Sequence, residues 1–166
     1  MSNLPAMSGF DSAHFRTVLG HFATGVTVIT AAGADGPVGF TIGSFVSVSL
    51  DPPLVGFLPQ KTSTTWPPME QAGAFCVNVL AAEQGELCWR FAKETDDKFA
   101  GVEWEPAPVT GAPRLAGAVA WIDCTIEAVS DAGDHIFVLG RVHDLAAGEG
   151  DPQLFFRGKL GTFVQQ

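Results

Sequence analysis

Three short stretches carry residues whose types and spacing could do chemistry. In Gly39-Phe40-Thr41-Ile42-Gly43-Ser44-Phe45, hydroxyls and open glycine backbone stand where a strand begins, a place to hold the polar tail of a ligand. A surface strand with serine as filler reads the same way. In Gln60-Lys61-Thr62-Ser63-Thr64-Thr65-Trp66, four hydroxyls lie beside a lysine, and Pro67-Pro68 holds the far side still. Such a cluster of donors suits a phosphate. In a chain of net charge −9, a dianion needs some local relief of this kind. The same residues also make an ordinary polar loop capping a helix over 67–73. The third stretch is Gly133-Asp134-His135. A histidine directly after a tight turn, opening a strand, is held by backbone geometry and points to one fixed side; a half-exposed turn histidine has the same pattern.

Other chemistries find little support. No GxGxxG follows a strand and no P-loop is present, so the usual nucleotide-phosphate cradles are missing. His14, His21, His135 and His143 form no HExxH and no His/Cys pairing at ligand spacing, so no metal site is expected. Gly39 to Gly43 echoes a nucleophile elbow with Thr for Ser, yet a strand follows it where a helix should. With nine basic residues and a pI near 4.6, the chain lacks the cluster needed to meet nucleic acid or an anionic membrane. Cys76, Cys88 and Cys124 sit among apolar neighbours with no CxxC, which favours buried reduced thiols. No run approaches the roughly 18 apolar residues of a membrane span, and no basic residue or apolar stretch marks a signal peptide before Arg16. The expectation is a cytoplasmic protein.

The elements that must position these groups are mostly strands. From Ser44 the chain alternates, Ser44, Val46, Val48 and Leu50 on one side against Phe45, Ser47 and Ser49 on the other, until Asp51-Pro52-Pro53 breaks the ladder. With Val26 to Thr30 before it and Leu54 to Leu58 after it, residues 26–58 predict three consecutive strands of an antiparallel meander. Asp11 or Ser12 caps a helix whose Phe15, Val18, Leu19 and Phe22 recur at helical spacing. Further strands are expected at 74–80, buried on both faces, at 118–129, at 135–142 after the turn, and at 154–163. A helix is expected over 83–92, loop over 95–108, and a connector over 113–117. Residues 1–9 read as a flexible tail and 10–166 as one domain of 46% hydrophobic composition in the whole chain. The fold class is mainly β, a small antiparallel barrel with helices packed outside.

Taken in order, these stretches resemble the flavin reductase-like family with an FMN-binding split barrel, Greek-key-like in its antiparallel strands. The likeness rests on Phe15-Arg16, Phe22-Ala23-Thr24-Gly25-Val26-Thr27-Val28, Thr41 to Phe45, Val48-Ser49, Asp51 to Val55, Lys61 to Trp66, Phe75 to Leu80, and Gly133-Asp134-His135 with Gly140-Arg141-Val142. It spans nearly the whole chain. What it implies is a homodimer that binds FMN or FAD, takes hydride from NADH or NADPH, and hands reduced flavin to a partner monooxygenase. By resemblance, Thr41, Ile42, Ser44 and Phe45 line the flavin ring and ribityl chain. Lys61, Ser63 and Thr65 hold the phosphate, and Phe91 or its neighbours Arg90 and Lys93 close the other side. His135 stands where the nicotinamide stacks, as a positioning group, since hydride transfer needs no general base. Gly43 departs from the family, which often has serine there. A tight-binding flavoprotein oxidase or oxygenase on the same barrel, and a non-enzymatic flavin-binding module, are the competing readings.

Overall fold

The computed structural model describes residues 9–166, so the tail expected over 1–9 lies, except for Gly9, outside the described residues. Asp11 opens α1 (Ser12–Leu19), its carboxylate accepting from the His14 amide at 2.8 Å. Then come β1 (Thr24–Gly25), β2 (Thr27–Gly33), β3 (Gly36–Ile42), β4 (Val46–Leu50), β5 (Pro53–Phe57), α2 (Trp66–Ala72) and β6 (Ala74–Val79). A short 3-10 turn leads into α3 (Gly85–Ala92), followed by β7 (Trp104–Pro106), β8 (Pro113–Leu115), β9 (Ala120–Ala132), β10 (His135–Ala147), β11 (Gln153–Phe156) and β12 (Lys159–Thr162).

Seven strands make one antiparallel sheet in the order β3-β2-β6-β9-β10-β5-β4. Its two edges, β3 and β4, are consecutive in sequence yet do not pair, so the barrel is split along that seam. The meander expected over 26–58 is therefore corrected: there are four strands in two hairpins, broken at 43–45. The reason is local. Ser44 Oγ donates to the Leu58 carbonyl at 3.2 Å and accepts the Leu58 amide at 3.1 Å, drawing the chain to the end of β5. Val46 onward then pairs with β5 instead of β3. An alternating pattern announces a strand but carries no information about which neighbour it takes.

Other boundaries also shift. The 95–108 loop contains β7, which pairs with β8 inside the expected 113–117 connector. The single last strand over 154–163 is a hairpin, turned by Arg157 at φ 52° and Gly158 at φ 78°. The residues of the α1 stripe, Phe15, Val18, Leu19 and Phe22, are all half or more exposed. The valines of β4 likewise face outward.

The main core lies under the sheet, where Phe57 meets Phe75 edge-to-face at 5.0 Å and also packs against Phe40 and Trp66. A second cluster of Val26, Val28, Leu80, Cys88, Phe91 and Leu115 seats α3 against β2. Two buried polar groups pin the irregular parts between these clusters. Asn78 accepts the Leu115 amide at 2.8 Å and donates to the Val28 carbonyl at 3.0 Å. The Asp123 carboxylate gathers the Val109 amide at 2.8 Å and the Thr110 amide and hydroxyl. All three cysteines are free and buried; burial, with Asp123 close by, pushes the Cys76 thiol up to about 12.

Candidate active site

The seam between β3 and β4 opens into a cavity of about 440 Å³. One wall is the end of β3 and the residues after it, Phe40 to Ser44, with Gly25 and Val26 beside them. As an edge strand, β3 has one row of backbone groups without a strand partner. The opposite wall is α3, through Cys88, Trp89, Phe91 and Ala92, and the third side holds Leu58 to Gln60, Ser63 and His135. Glu94 and Lys98 close the end.

Each element is held by an identifiable contact. The Thr41 hydroxyl donates to the Cys88 carbonyl at 2.6 Å, docking α3 onto β3. Gly39 lies beneath Phe91; a Cβ there would stand 3.2 Å from the ring and 3.1 Å from the Ile29 carbonyl, so the close approach favours glycine. Phe91 is fully buried and meets Phe99 edge-to-face at 5.0 Å. The hairpin of β9 and β10 delivers His135, whose strand start is bridged to Gln60, while the Lys61 amide bonds the Asp134 carbonyl at 3.0 Å. His135 Nδ1 lies 2.7 Å from the Asp134 carboxylate. A carboxylate only accepts, so Nδ1 carries the proton and, in the neutral ring, Nε2 is an acceptor. That hydrogen bond, and then the charge of His135, hold the Asp134 carboxyl below the usual aspartate range.

Among the residues singled out from sequence, Thr41, Ile42, Ser44, Ser63, Phe91 and His135 line this one cavity. Phe45, Lys61 and Thr65 do not. Phe45 turns onto the main core. Lys61 Nζ reaches Asp131 at 3.3 Å on the outside of the hairpin. Thr65 is buried behind the cavity, where Lys98 Nζ lies 3.4 Å from its hydroxyl. Two hydroxyls on the wall already have partners, Thr41 with Cys88 and Ser44 with Leu58.

Sequence reasoning did not find Lys98. It falls in the stretch whose sequence reads as plain loop, and its only signal is a lone lysine between an acidic pair and Phe99, which packs inward on Phe91. Its ammonium is buried, and burial holds it below the usual lysine range while the charge of Glu94 acts the other way. Trp89, half-exposed on the rim and edge-on to Phe155 at 6.5 Å, was also given no role at the site.

This donor set fits a flavin. Apolar walls suit a flat ring, the open β3 edge offers amides and carbonyls to a polar ring margin, and a hydroxyl with a buried cation suits an anionic tail. Among the described residues there is no group of three or more His, Cys, Asp or Glu that could hold a metal ion, and no helix is long and apolar enough to cross a membrane.

Comparison with known proteins gives the same answer. Residues 19–163 match the model of the flavin reductase like domain. The chain is 50% identical to the flavin-dependent monooxygenase reductase subunit HsaB of Rhodococcus jostii, over 93% of this chain and 79% of that one. The nitrilotriacetate monooxygenase component B homologue of Mycobacterium thermoresistibile superposes with a TM-score of 0.89 at 45% identity, covering 93% of this chain and 87% of the other. The NADH:FAD oxidoreductase SgcE6 of Streptomyces globisporus, solved with NAD and FAD fragments, has a TM-score of 0.89 at 37% identity and 93% coverage of both chains. The matched span includes every residue named on the cavity wall, and on this evidence the chain belongs to the flavin reductase-like family.

Proposed function

We propose that this chain is the reductase component of a two-component flavin-dependent monooxygenase, reducing FMN or FAD with NADH or NADPH and releasing reduced flavin to the oxygenase. The observation that carries this reading is the meeting of residues 41–44 and His135, far apart in sequence, on one cavity of about 440 Å³. The redox chemistry, hydride uptake from a reduced nicotinamide, belongs to the flavin when it is bound. The chain's own residues bind and orient. Backbone at Thr41 to Ser44 meets the polar margin of the ring, and Phe91 backs it. Thr41 and Ser44 act indirectly, by fixing α3 and the seam through the Cys88 and Leu58 contacts. Ser63 meets the phosphate, with Lys61 and Thr65 behind it. Lys61 is freed for that role by opening an exposed pair with Asp131, a change of no more than about 1 kcal/mol.

In its neutral form His135 presents Nε2 as an acceptor, which suits the N–H of a nicotinamide carboxamide. Its part is to place the donor ring, since near-attack geometry is what a site of this kind adds to the cofactor's own chemistry. Free buried cysteines accord with a cytoplasmic location, and the exposed apolar face of α1 accords with a homodimer.

The direct test is oxidation of NADH and NADPH with FMN, FAD and riboflavin added in turn. Nucleotide consumption should depend on added flavin and disappear after dialysis. Consumption with none of the flavins would overturn the reading. A yellow colour surviving dialysis would replace release of reduced flavin with a tightly held cofactor.

A further inference from the structure

Lys98 has an unusual position for a lysine. It is only 9% exposed, and its Nζ lies 3.0 Å from the Gly39 carbonyl, 3.3 Å from the Phe91 carbonyl and 3.4 Å from the Thr65 hydroxyl. These partners bring β3, the end of α3 and the start of α2 to one ammonium. All three are neutral. Lys61, Arg114, His135 and Arg141 each pair with a carboxylate, but no such partner lies within 4 Å of Lys98 among the described residues. The carboxylate of Glu94 stands on the same cavity wall and accepts from the Thr64 hydroxyl.

Three neutral acceptors satisfy the hydrogens of an ammonium but leave its charge with no carboxylate in direct contact, only Glu94 acting from farther off. A buried charge is tolerated poorly without a close counter-charge. Lys98 lines the cavity, so an anion bound there would supply what the fold does not. The side on which the anionic group sits follows from the neighbours. Thr65, which Lys98 holds, and Ser63, which shares the wall with it, both belong to the 60–65 hydroxyl run. We propose that Lys98 is a specificity-determining residue whose buried charge selects a phosphorylated flavin over an unphosphorylated one. The proposal rests on the flavin site described under the proposed function. The competing role is purely structural: a cation near the last carbonyls of α3 caps the helix and offsets its dipole.

Binding separates the two. Dissociation constants for FMN and riboflavin are measured by quenching of flavin fluorescence, at one ionic strength, for the unaltered protein and Lys98→Met. The unaltered protein should bind FMN more tightly. Lys98→Met should lose FMN affinity by roughly 10- to 100-fold, with riboflavin changed by less than about threefold, within the usual scatter of a neutral change. Equal losses for both ligands would assign Lys98 to the scaffold and overturn the proposal, as would no loss for either. Should Lys98→Met fail to fold by circular dichroism, Glu94→Gln decides in its place. Removing the opposing charge should tighten FMN severalfold and leave riboflavin alone, and unchanged FMN affinity would overturn the proposal. Failure of the unaltered protein to bind either flavin would refute the flavin site itself, a result distinct from loss of selectivity.

Discussion

At the scale of single residues, the site depends on which polar atoms are free and which are engaged. His135 has one nitrogen engaged by Asp134 and one available, so its removal should affect the nicotinamide and not the flavin. His135→Ala is expected to raise the apparent KM for NADH about 10-fold, equivalent to about 1.4 kcal/mol, with FMN affinity unchanged. Parallel steady-state kinetics and flavin titration check this, and lost flavin binding with unchanged NADH kinetics would contradict it. Gly43 supplies a second case. The buried Thr24 Oγ1 has no hydrogen-bond partner among the described residues, and a Cβ at 43 would meet only that oxygen, at an ordinary 3.5 Å. Gly43→Ser should therefore fit and partner it, adding about 0.5–1.5 kcal/mol and raising Tm by roughly 1–6 °C. A fall in Tm on thermal melting would show that the backbone after β3 has no room for a side chain.

At the scale of elements, glycines in two central strands make room for aromatic rings. The Phe75 ring occupies the space a Cβ would need at Gly140 of β10, and Phe137 does the same at Gly56 of β5. Phe75 is fully buried against Phe57 and has nowhere to move. Gly140→Ala should destabilise by about 1–3 kcal/mol through overpacking. Gly161→Ala in β12, with nothing within 4 Å of its Cβ, should stay within about 0.5 kcal/mol. Denaturant midpoints of the two variants test the contrast, and equal shifts would refute it. None of this was visible in the sequence, where Gly140 is merely a weak spot in an apolar run. The period-two pattern around Val46 and Val48 was legible as a strand, as were the hairpin at Gly133 and the buried β6. The seam was not legible, because it depends on Ser44 bonding Leu58, a contact that spacing does not encode. Lys98 was missed for a similar reason: its burial comes from three elements closing over a loop.

At the scale of the molecule, two apolar faces share one feature. Phe15, Val18, Leu19 and Phe22 have helical spacing and Val46, Val48 and Leu50 have strand spacing, yet in the single chain they face water. Periodicity reports that a face is to be covered, and does not say whether the cover is the chain's own core or another molecule. A chain with 16% charged residues that leaves an apolar helix face open has a strong reason to associate. In the homodimer reading, the mass in solution is twice 17.5 kDa, and α1 contributes to the contact. Leu19→Asp places a charge on the α1 face without touching the cavity wall, so it should shift the protein toward the monomer mass. Sedimentation equilibrium over a range of concentrations reads this directly. Because Gly20, immediately after α1, bonds through its carbonyl to the Arg157 amide between β11 and β12, the variant is compared by circular dichroism to show that this end of the fold is intact. An unaltered protein that sediments as a monomer would refute the homodimer, and a folded Leu19→Asp that stays dimeric would move the contact off α1, with the open valines of β4 the next face to test.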